Sequence, residues 1–127
     1  EFQAEYEDAV KKLMILMILA DGEVEESEIE TIIAIHENIT KNKLDKEKLM
    51  DEIEDYRLKK YDVLEFTSSL RGKLNDQGKE TIIKAAYLIA AADGEFHELE
   101  QELLSKIAIS LDFSKAHLKA VLDEVTN

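Results

Sequence analysis

The sequence has no cysteine and no proline, and only four glycines in 127 residues. Without cysteine there is no disulfide, no thiolate zinc site and no cysteine nucleophile, a composition that suits a reducing compartment and a cytoplasmic location. Without proline, and with so little glycine, the many turns of a sandwich or barrel cannot be supplied. Glu, Lys, Leu, Ile and Ala abound instead, so the fold class is all-α. Long apolar runs are missing too. The longest, Leu13 to Ala20, falls far below the about 20 residues of a spanning helix, so no direct membrane span is expected and the run reads as a buried core helix.

A basic excess is also lacking. The net charge of -13 argues against a nucleic-acid partner, since such binding is driven by Lys and Arg displacing counterions. Location sharpens the point. Residues 21–30 hold Asp21, Glu23, Glu25, Glu26, Glu28 and Glu30, and residues 93–102 hold Asp93, Glu95, Glu98, Glu100 and Glu102, with no Lys or Arg in either. Those two stretches carry nearly all the excess charge, so cations or basic protein surfaces are the natural partners. With 45% hydrophobic residues, the chain can bury one substantial core and is expected to form a single domain.

Periodicity and capping residues divide it into about seven helices. The first, from Ala4 to Ala20, turns apolar all round in its second half. Asp21-Gly22 stops it, glycine being favoured just past a helix C-terminus. The second, about Glu26 to Thr40, carries Ile29, Ile32, Ile33, His36 and Ile39. Asp45 caps the third, with a stripe of Leu49, Met50, Ile53 and Tyr56 and a hinge over 57–60. A capping box at Asp62 and Glu65 opens the fourth, which shows Val63, Phe66, Thr67 and Leu70 before Gly72. Asn75-Asp76 caps the fifth, whose Ile82, Ile83, Ala86, Tyr87, Ile89 and Ala90 lead to a second Asp-Gly. The sixth, Glu98 to Ser110, buries Leu99, Leu103, Leu104, Ile107 and Ala108, with Leu111 beyond it. Ser114 caps the seventh, with Leu118, Val121, Leu122 and Val125.

Ala20-Asp21-Gly22-Glu23-Val24-Glu25-Glu26-Ser27-Glu28 returns as Ala92-Asp93-Gly94-Glu95-Phe96-His97-Glu98-Leu99-Glu100, 72 residues on. Two related halves follow, about 4–58 and 61–127, with pseudo-two-fold symmetry and the first and fifth helices packed together. The repeated turn matches the second half of a calcium loop: an acidic ligand, the turn glycine, an apolar residue and a closing Glu. Met17 and Leu19, and Ile89 and Ala91, stand where the first two oxygen ligands belong. A full calcium loop is thereby excluded.

Two readings of the turn stand side by side. Glu28 and Glu100 fall in a helix first turn, where a carboxylate favours the dipole by ~0.3–1 kcal/mol, so the motif can be structural. Alternatively, Asp21, Glu28 and backbone carbonyls form a small hydrated cation site. His36 and His117 lack ligand partners at useful spacing and read as packing or surface residues, and His97, in the place of Glu25 in the second turn, is either a borderline ligand or a surface substitute for the N-cap. No nucleophile turn and no glycine-rich phosphate loop is present, so no enzyme is expected.

Two Ala-Asp-Gly-Glu-(apolar)-x-x-x-Glu motifs, each ending an apolar helix of an all-helical chain, resemble the TerB-like family. That family includes tellurite-resistance proteins of bacterial stress operons and the N-terminal domain of DjlA-type membrane-anchored co-chaperones. The resemblance runs from about residue 4 to 125, and its specific part is the two motifs. It implies metal binding at Asp21, Glu23 and Glu28, and at Asp93, Glu95 and Glu100. The sequence departs from the family pattern at Glu25 and His97, where a Ser or Asp cap is usual. The resulting expectation is a non-enzymatic domain weakly binding a divalent cation, Ca, Mg or Mn with Zn less suited, within a stress-response or membrane-associated complex. The alternative is an acidic interaction module that meets a basic or membrane-associated protein without metal. Hydrolysis is a third class, requiring a metal with an open position and a pocket.

Overall fold

The computed structural model describes residues 2–20, 24–92 and 98–126 of the chain. Seven helices lie among these residues: α1 (Phe2–Ala20), α2 (Glu26–Thr40), α3 (Lys46–Lys59), α4 (Val63–Ser69), α5 (Asp76–Ala90), α6 (Glu98–Ser110) and α7 (Lys115–Thr126). No strand occurs among them, and none of these helices is long and apolar enough to cross a membrane. The Asp-Gly turns that follow α1 and α5, with the Tyr6 and Leu99 side chains, lie outside the described residues.

The centre is α1. Its run Leu13, Met14, Ile15, Leu16, Met17 and Ile18 is buried at every position, the most open of them being 7% exposed. A helix can hide its whole circumference only when other helices surround it, and α1 packs on α2, α3, α4 and, most extensively, α5. On α5, Ala85 and Ala86 are fully buried beside Ile82 and Ile83; small residues of this kind let two backbones approach closely. The expected pairing of the first and fifth helices is thus present. The contacts of α1 with α2 and α3 are matched by those of α5 with α6 and α7. The symmetry is imperfect, since α2 also meets α5 while α4 fits against both α1 and α6.

Polar side chains set the helix ends. Asp45, Asp62 and Asn75 accept from the backbone N–H of Glu47, Glu65 and Gly78, and the Ser114 hydroxyl accepts from that of His117; each satisfies a donor that the helix leaves unpaired. Three helices end without glycine: Lys41, Lys60 and Asp112 take left-handed conformations after α2, α3 and α6. Gly72, at φ 84°, lies three residues beyond α4, in a turn of short i to i+3 bonds. One core assignment needs correction: Met50 is 46% exposed. It lies one position from Leu49 on a helix whose buried stripe is Leu49, Ile53 and half-buried Tyr56, and so turns about 100° away from that stripe.

Two long-range polar contacts fasten α4 and its following turn to α6. The Thr67 and Ser110 hydroxyls bond to each other in the interior, and Arg71 donates to the carbonyls of Ser110 and Ile109 at 3.1 and 3.0 Å. That guanidinium occupies the negative end of the α6 dipole.

Tyr56 gives the fold an alkaline limit. Burial, then the Glu52 carboxylate that accepts its hydroxyl at 3.2 Å, pushes the phenol far above its ordinary value. A raised pKa contributes stability in full below the unfolded value of about 10 and loses it as pH climbs towards the folded one. Tyr56→Phe should therefore flatten the loss of stability above about pH 10, as read by urea unfolding across an alkaline series. Identical curves for the two proteins would refute this.

Candidate functional site

Glu28 sits three residues inside α2, and its Oε1 accepts the backbone N–H of Glu25 at 2.8 Å. The reciprocal contact of a capping box is thus made with a glutamate at the cap itself, where Ser or Thr is usual. The structural reading of the motif holds for this residue. A single capping bond leaves most of a carboxylate's acceptor capacity unused, however, because two oxygens offer about four lone-pair sites.

The helix crossings bring Glu28 and Glu100 to the same place. A small recess of about 100 Å³ is lined by Ile18, Glu28, Thr31, Ile89, Ala90, Ala92 and Glu100. Two pairs among these, Ile18 with Ala90 and Glu28 with Glu100, stand 72 positions apart in the chain. The recess therefore takes the closing glutamate of each motif copy into its lining. Both glutamates are half-buried, whereas Glu25, Glu26, Glu30, Glu98 and Glu102 are exposed. Ile18, Ile89, Ala90 and Ala92 supply the apolar part of the lining, and Glu28, Thr31 and Glu100 the polar part. Neither α1 nor α5 carries a basic residue in its last turn, so no cation of their own offsets the negative ends of their dipoles beside the recess.

Asp21, Glu23, Asp93 and Glu95, the other expected ligands, lie outside the described residues, as does His97. Among the described residues no three His, Asp or Glu side chains converge as a metal site. Sequence reasoning also missed a lysine. Lys46, at the start of α3, reaches back to Glu26 and Glu30 at 3.4 Å each, and these carboxylates hold its ammonium above the ordinary pKa. Two of the carboxylates in residues 21–30 thus already face a cation, and its sequence separation hid it.

The histidines are structural contacts in part. His117 stacks on Phe113 with ring centroids 4.1 Å apart and places Nε2 2.8 Å from Glu80 Oε2, joining α7 to α5. His36 is buried in α2.

A family model described as "Tellurite resistance protein TerB" matches residues 7–122, almost the whole chain. No curated protein and no solved structure matches it.

Proposed function

The chain belongs to the TerB family, and from that premise we propose that it is a non-catalytic domain that weakly binds a divalent cation between its two acidic motifs. The observation carrying this reading is the shared recess: Glu28 and Glu100, one from each motif, line one cavity although 72 residues separate them. Carboxylate oxygens suit the hard cations Ca, Mg and Mn; Ca tolerates irregular oxygen coordination, and Mg keeps several of its waters. Asp21 and Glu23, and Asp93 and Glu95, complete the ligand set in this proposal. The setting proposed is a cytoplasmic stress response of the tellurite-resistance type.

Amide shifts followed during titration with Ca, Mg, Mn and Zn test the reading. Residues 24–28 and 98–100 are expected to move together with one midpoint. If millimolar cation leaves both segments unmoved, the proposal fails.

A second reading draws on the outward-facing carboxylates. Glu25, Glu98 and Glu102 are exposed and could meet a basic protein partner, with no ion required. Such binding would weaken with salt and survive a chelator. Cation-dependent association would do the reverse on adding chelator.

A further inference from the structure

A second recess lies towards the other end of α1, about 16 Å along the helix from Ile18. It has a volume of about 300 Å³, and Glu7, Asp8, Lys11, His36, Asn42 and Lys43 line it. His36 is only 3% exposed. Its Nδ1 lies 2.9 Å from the Asn42 carbonyl oxygen and 3.1 Å from the Thr40 hydroxyl. A carbonyl can only accept, so Nδ1 carries the proton and Nε2 of the neutral ring holds a lone pair. Nε2 has no partner among the described residues, yet no buried side-chain nitrogen or oxygen among them lacks one. Nε2 is therefore not sealed in the interior, and His36 is among the residues that line the recess.

Asn42 organises both candidate ligands. Its carbonyl fixes the imidazole, while its side-chain amide donates to Glu7 Oε1 at 2.7 Å and holds that carboxylate at the same recess. An imidazole anchored through Nδ1–H to a backbone carbonyl, with Nε2 presented to a cavity beside a carboxylate, is the arrangement protein metal ligands use. Of the two lysines that line the recess, Lys11 is already paired: burial opposes its charge, but Glu52 at 3.0 Å and Asp8 at 3.4 Å outweigh that and hold its pKa above the ordinary value. Lys43 is exposed and can extend into water.

We propose that His36 Nε2 and the Glu7 carboxylate form a binding site for a borderline divalent cation, Zn²⁺ or its neighbours Co²⁺, Ni²⁺ and Cu²⁺. Imidazole suits these ions, whereas Ca²⁺ and Mg²⁺ take oxygen ligands, so the site differs in chemistry as well as position from the recess of Glu28 and Glu100. In this proposal the protein supplies two ligands and water the rest.

The test is a Zn²⁺ titration of the full chain followed through the histidine imidazole carbon–proton signals and the backbone amides. The His36 ring and the Asn42 amide are expected to shift with Zn²⁺ and to stay in place with equal Ca²⁺. Glu7→Gln, whose amide oxygen can still accept from Asn42, should weaken Zn²⁺ binding about tenfold. His36→Gln should abolish the response at Asn42; as that residue is buried, Glu7→Gln decides between the outcomes if His36→Gln does not fold. An unmoved His36 ring at millimolar Zn²⁺, or undiminished affinity in Glu7→Gln, overturns the proposal. Zn²⁺ shifts confined to residues 24–28 and 98–100 overturn it too while leaving the acidic recess intact. Ca²⁺ shifts absent there, with Zn²⁺ acting at His36, would support this site and sink the other.

Discussion

Leu13→Ala is expected to lower the unfolding free energy by about 2–5 kcal/mol, a large share of the about 5–15 kcal/mol that holds a domain of this size together. Leu13 is fully buried in the helix on which α2, α3, α4 and α5 all pack. Large-to-small substitution there loses the transfer energy of the removed carbons and opens a cavity. Collapse around the cavity is restricted, because α2, α3, α4 and α5 all brace α1. Urea unfolding should show a lower midpoint with the same slope, since the surface exposed on unfolding hardly changes. Leu58→Ala serves as the control: Leu58 is 74% exposed, so its loss should stay within about 0.5 kcal/mol. A Leu13→Ala protein no weaker than this control would contradict the central placement of α1. The same substitution should reduce cation binding without touching a ligand. Glu28 follows α1 in the chain and Glu100 follows α5, so the α1–α5 seam sets their separation.

The elements most readable from sequence were those whose local signals agreed with their packing. α2 and α6 run over the residues that periodicity assigned them, and the all-apolar half of α1 could be nothing but a surrounded helix. Helix ends were harder wherever glycine was absent. Nothing in Lys41 or Lys60 as residue types announces a left-handed turn, and only Asp112 is of a type that tolerates one readily; the helix-end hydrogen bonds hold all three there. Contacts across long separations were invisible: Thr67 with Ser110, Arg71 with the end of α6, Lys46 with Glu26 and Glu30.

The candidate site was legible in its residues more than in its geometry. Duplication and charge pointed to Glu28 and Glu100, but only the crossing of α1 over α5, with α2 against α5, turns both towards one recess. The dual character of Glu28 was half visible. Its first-turn position suggested a helix-dipole role, while its bond to Glu25 N–H depends on a cap residue whose type gave no hint of it. The setting of His36 was unreadable, because its Nδ1 meets the backbone carbonyl of Asn42 and the Glu7 that Asn42 holds comes from another helix.

Glu28→Gln and Glu100→Gln should each weaken divalent-cation binding about tenfold or more, equivalent to at least ~1.4 kcal/mol, and the double variant should lose little beyond the stronger single effect. The reasoning rests on sharing. One ion held by carboxylates from both motifs feels the loss of either charge in full, and once one is gone little remains for the other to stabilise. Two independent ions would instead give a stoichiometry of two, with each substitution removing one binding event and the effects adding. Calorimetric titration of the four proteins separates these outcomes. Glutamine is the informative replacement at position 28, because its amide oxygen can still accept the Glu25 N–H; only the charge is removed, at a stability cost of about 0.3–1 kcal/mol from the helix dipole. Glu28→Ala removes cap and charge together and could not tell them apart. If Glu28→Gln stays folded and binds cation as well as the unaltered chain, the motif serves as a helix cap. The acidity then belongs to a surface that meets a basic partner, the exposed Glu25, Glu98 and Glu102 being the residues to neutralise next.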